Sequence, residues 1–90
     1  MSFELKNNGA YNRREHVIFD AIRNHGRIST LDLVDVVYAT QRRRPLNARV
    51  AVRGSVRGLQ QKIERNKEPF RLRNDKHKGP YAQEFWLEAK

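Results

Sequence analysis

The sequence predicts an α+β domain, three helices followed by a C-terminal β-hairpin. Apolar residues recur at helical spacing in three segments between Arg13 and Arg65, and beyond Pro69 the period changes to strand alternation. The formal charge of +9 is distributed unevenly along these elements. From Met1 to Gln41 five cations balance five anions, whereas from Arg42 to Lys90 fourteen cations face five. A localised basic surface attracts polyanions by steering and counterion release.

Residues 1–12 are polar and read as a flexible arm, in which the alternation of Phe3 and Leu5 allows a short strand. Residues 13–88 read as the domain. The first helix spans Arg13 to Asn24, with Val17, Ile18, Ala21 and Ile22 at helical spacing. Gly26 lies where a left-handed C-terminal cap ends it, and His25 complements the negative end of its dipole.

Helix two starts at Ser29, an N-cap with Asp32 three residues on. Ile28 and Leu33 occupy the two positions of a hydrophobic staple. The strand preference of Val34, Val36 and Val37 opposes this reading, but the caps and the apolar spacing of Leu33, Val34, Val37 and Tyr38 favour helix. Only about three residues join the first two helices, so they turn sharply against each other.

Helix three covers 47–65, with Asn47 as its expected N-cap. Val52, Val56, Leu59 and Ile63 form a buried stripe. At about 100° per residue, Arg53 and Arg57 lie beside it, and Asn47, Val50, Gly54 and Gln61 lie roughly opposite. After Asp35 no acidic residue appears until Glu64. Gly54 and Gly58 share one side and allow close approach by another backbone or a nucleic-acid strand, or are simply poor helix formers.

The hairpin, 70–88, alternates Phe70 and Leu72 with Arg71 and Arg73, turns through DKHKGP, and returns with Tyr81, Gln83, Phe85 and Leu87 on one face. Trp86 falls on the other face, so either both faces are covered or a bulge rotates the strand.

This order resembles the winged helix-turn-helix family, and most closely the effector domains of two-component response regulators. The carrying segment is VAVRGSVRGLQQKI, in which Val52, Val56, Leu59, Lys62 and Ile63 match the family's V-x-x-x-[IV]-x-x-L-R-x-K-[IL] pattern and Gln60 replaces its Arg. EFWLE stands where the family ends in G-Y-x-[LF]. The resemblance implies double-stranded DNA as partner, with helix three in the major groove and the hairpin as wing. Asn47, Arg49, Arg53, Arg57 and Gln61 are then the helix-three contacts. Arg42, Arg43 and Arg44 in the preceding connection are expected on phosphates, and Arg73, Lys76, His77 and Lys78 on phosphates or in the minor groove.

No enzyme is expected. Ser29 and Ser55 lack a nucleophile motif, RGSVRG lacks the spacing of a phosphate loop, and no small-molecule ligand is evident. The scattered His16, His25 and His77, with no cysteine, argue against a metal or other cofactor. No apolar run approaches a membrane span, so a cytoplasmic, nucleoid-associated transcriptional regulator or architectural factor is expected. A domain this small needs two copies on adjacent half-sites for useful specificity. An RNA- or ribosome-associated protein and a winged-helix protein-interaction module remain as alternatives, the former weakened by few evident stacking aromatics.

Overall fold

Asn12 starts the first helix by a reciprocal exchange. In the computed structural model, which describes residues 3–6, 8–39, 41, 43–75 and 83–90, its side chain accepts from the Glu15 amide at 2.8 Å. The Glu15 carboxylate in turn accepts from the Asn12 amide at 2.8 Å, closing a capping box. Helix α1 runs Arg13–His25 and ends at Gly26, whose φ of 75° is a backbone state that side-chain-bearing residues rarely adopt. Its amide donates back to the Ile22 carbonyl at 2.9 Å.

The chain then forms a short strand, β1 (Arg27–Ser29), where a plain turn was expected. Three residues with one apolar side chain, Ile28, are too few to display strand alternation. What holds the strand is pairing from outside: the Thr30 amide and hydroxyl both donate to the Gln83 carbonyl, at 2.9 and 3.0 Å. Helix α2 (Thr30–Val37) follows at once, with the Ser29 hydroxyl accepting from the Asp32 amide at 3.2 Å. Ile28 and Leu33 are both buried, as a staple requires.

Helix α3 (Ala48–Arg65) begins without the side-chain cap expected of Asn47. An N-cap residue normally holds an extended backbone, whereas Asn47 sits at φ −102° and ψ 34°, and no side-chain capping bond forms. The helix ends in a Schellman arrangement. Lys67 adopts φ 53°, its amide donates to Glu64 and the Glu68 amide donates to Ile63.

Strands β2 (Phe70–Asn74) and β3 (Glu84–Ala89) complete a three-stranded antiparallel sheet in the order β1-β3-β2. The register is continuous, pairing Ile28 with Phe85 and Leu72 with Leu87, so no bulge rotates Trp86. The inner sheet face buries Ile28, Phe70, Leu72 and Phe85 against Ile18 and Ile22 of α1, Leu33 and Val34 of α2, and Val52, Val56, Leu59 and Ile63 of α3. Each such side chain contributes about 1.5–3 kcal/mol relative to exposure. The fold is thus α+β, three helices with a small antiparallel sheet.

The segment read as a flexible arm contributes to this core. Leu5 and Tyr11 are buried, and the Phe3 ring meets Phe70 edge-on at 5.5 Å. Neither Phe3 nor Leu5 lies in a strand. The anchor is Glu68, which is 1% exposed. Its carboxylate accepts from the Lys6 amide at 3.1 Å and from the Tyr11 hydroxyl at 3.1 Å, while the Asn66 amide group donates to the same hydroxyl. Hydrogen bonds to the charged form are what make a buried carboxylate tolerable. Burial, opposed by the Asn66 bond and reinforced by Glu68, pushes the Tyr11 hydroxyl above its usual pKa.

Candidate nucleic-acid interface

Helix α3 presents two unlike sides because its apolar residues are confined to one stripe. Ala48, Val52, Val56, Leu59 and Ile63 are buried, and Arg49, Val50, Arg53, Gly54, Arg57 and Gln61 are exposed. Arg49, Arg53 and Arg57 follow one another at single-turn intervals, so they form one cationic row. Arg53 and Arg57 make no ion pair with any described residue. The row lies on the hairpin side of α3. Gln60, which shares that flank at about 100° per residue, donates to the Leu72 carbonyl of β2 at 3.0 Å.

The opposite flank faces α1. The Lys62 ammonium pairs with the buried Glu15 carboxylate at 2.8 Å, so this cation is spent on joining α3 to α1. A methyl group at Gly58 would meet that same carboxylate at 3.6 Å, an ordinary contact, and one at Gly54 would meet nothing within 4 Å. Gly58 therefore abuts another element, as its sequence position allowed, while Gly54 opens onto solvent.

The remaining predicted contacts are dispersed. Arg43 is exposed in the connection between α2 and α3. Arg44 is also exposed but pairs with Asp35 of α2 at 2.7 Å, fastening the connection to the helix before it. Such an exposed pair is worth about 0–1 kcal/mol, so a phosphate competes with it readily. Asn47 is exposed with its side chain uncommitted to capping. Arg42, Lys76, His77 and Lys78, together with Tyr81, lie outside the described residues.

Arg73 does not join the α3 row; it stands on the outer face of the sheet and pairs with Glu88 at 3.5 Å. That face holds a cluster the sequence reading missed. Trp86 on the central strand is flanked across the strands by Arg27 and Arg73, and the Arg27 guanidinium lies 4.2 Å from the ring centre. Arg27 also pairs with Glu84 at 3.2 Å and with Asp75 at 3.6 Å. Arg71 is opposed by Glu88 in register. Cations and carboxylates alternate here, so the outer sheet face lacks the one-sided charge of α3. Recognising β1 as a strand was the signal needed to place Arg27 beside Trp86.

No group of three or more His, Asp or Glu side chains suited to holding a metal ion occurs among the described residues. Among them no helix is long and apolar enough to cross a membrane. The chain matches no protein-family model, no curated protein and no solved structure.

Proposed function

We propose that this chain is a sequence-specific double-stranded DNA-binding protein of winged helix-turn-helix type, with α3 in the major groove and the β2–β3 hairpin as its wing. The observation that carries the reading is the exposed row Arg49, Arg53 and Arg57, which runs beside the buried stripe of the helix. A helix of about 10–12 Å diameter fits a groove about 12 Å wide, so one exposed helix face meets base edges while its flanks meet phosphates. Arg reads guanine O6 and N7, and Asn or Gln reads adenine, which gives Arg49, Arg53, Asn47 and Gln61 tasks suited to their chemistry. Arg43 and Arg44 serve on phosphates.

Helix α2 packs against α3, with Leu33 and Val34 buried in the core they share, and the element order α1, α2, α3, hairpin supports the same assignment. The activity is binding, as a transcriptional regulator or an architectural factor. Two copies on adjacent half-sites supply the contact area that one domain of this size lacks.

Competition between duplex DNA and duplex RNA of the same sequence, followed over a range of salt, tests the reading. The expected result is preferential DNA binding whose log affinity falls linearly with log salt, at about −0.9 per phosphate neutralised. A preference for the RNA duplex would transfer the basic face to RNA recognition, and no appreciable binding to either duplex would favour a protein partner.

A further inference from the structure

Within the basic face of α3 one position does not fit a surface made only to attract phosphate. Val50, the third residue of the helix, is 67% exposed and contributes nothing to the core. Leu46, one turn earlier, is exposed as well. One turn later Gly54 leaves open space, so no neighbouring element accounts for its lack of a side chain. Valine and glycine both cost helix stability relative to alanine, by roughly 0.5 and 1 kcal/mol. Here neither is repaid by packing within the chain. The outward line of the first two turns is therefore short and apolar, with arginines along its flank.

We infer that Val50 is a specificity-determining residue that contacts the C5-methyl group of a thymine, resting on the reading of α3 as the groove-facing helix. Thymine in the major groove is the complement of an apolar side chain on α3. The groove's base edges present hydrogen-bond donors and acceptors at every base pair, and thymine adds, beside its O4 acceptor, the one apolar group, its C5-methyl. An outward Val with no polar atom has no other base-edge complement. The N-terminal part of a recognition helix is also the part that reaches base edges, and Val50 lies there. The flanking Arg49 and Arg53 make the surroundings of Val50 cationic, which favours DNA over an apolar protein surface as the occupant. The open space at Gly54 removes the side chain that would hold the helix away from the base pair next to the one Val50 meets.

Selection of binding sites from a random duplex pool, followed by replacement of each thymine in the recovered site by deoxyuridine, tests this. Uracil keeps every hydrogen-bonding group of thymine and lacks only the methyl. Wild type is expected to lose about fourfold in affinity at one thymine, the worth of one buried methyl group. Val50→Ala is expected to be indifferent to that replacement while keeping the salt slope of wild type. Because Val50 is exposed and alanine is the better helix former, this variant folds, as circular dichroism would verify. If wild type enriches a site with steep salt dependence but no deoxyuridine substitution separates it from Val50→Ala, the thymine contact is overturned and the DNA-binding reading stands. If wild type binds no duplex, both fall together.

Discussion

The Lys62 ammonium lies 2.8 Å from the Glu15 carboxylate, in the half-buried seam between α3 and the first turn of α1. Glu15 also closes the capping box with Asn12, so one carboxylate both starts α1 and positions α3. Lys62→Ala leaves Glu15 with the Asn12 amide but without its cation. The expected loss is about 1–2 kcal/mol in urea denaturation, below the 3–5 kcal/mol of a fully buried pair because the lysine keeps partial solvent contact. Duplex affinity should change less than twofold, because this lysine is turned toward α1.

Two backbone positions make opposite predictions. Gly26→Ala forces a Cβ into φ 75° and should destabilise by about 1–2 kcal/mol. Lys67→Gly relieves the left-handed penalty at the end of α3, partly offset by glycine's greater unfolded-state entropy, and should stabilise by up to about 1 kcal/mol. Thermal melts of both variants check the pair.

Stability should fall in alkali through Tyr11. Its folded pKa is raised above 10.0, so the folded state holds the proton that the unfolded chain has released. The stabilisation is complete below pH 10 and is lost as pH rises through the folded pKa. Tyr11→Phe should remove that part of the pH dependence. It should also cost about 1–2 kcal/mol at neutral pH, since Glu68 loses a donor within the core.

Trp86 is the sole tryptophan, so its emission reports the outer sheet face. Arg27→Ala uncovers the ring and should shift emission to the red. The accompanying destabilisation should be about 0.5–1 kcal/mol, the worth of an exposed cation-π contact.

Much of this arrangement was legible in the residues themselves. The stripe Val52, Val56, Leu59 and Ile63 marked α3 because eighteen helical residues repeat the period several times. Ser29 marked the start of α2, and the alternation of Phe70, Arg71, Leu72 and Arg73 marked β2 with the correct inner face. Strand β1 was hidden because its pairing comes from residues more than fifty positions away, which a local pattern does not display. The packing of Leu5 and Tyr11 was hidden for the same reason, since it depends on Glu68, three residues beyond the end of α3. Asn47 has a good capping side chain in a backbone state that does not cap, a difference set by the turn from Pro45 rather than by residue type. For the candidate site, exposure of Arg53 and Arg57 followed from the helical period. The capture of Arg44 by Asp35 and of Lys62 by Glu15 depended on tertiary neighbours.

The most direct measurement is titration of a labelled duplex with wild type and with Arg53→Ala/Arg57→Ala across a range of salt. Both arginines are exposed, so the double variant should fold as wild type does, and its circular dichroism provides the control. If α3 is the DNA-binding face, wild type binds with a steep salt dependence. The double variant then binds far more weakly and with a shallower salt slope, because two cations have left the DNA-facing surface. Equal affinity and equal slope for the two proteins would contradict the assignment of α3 as the helix that meets DNA.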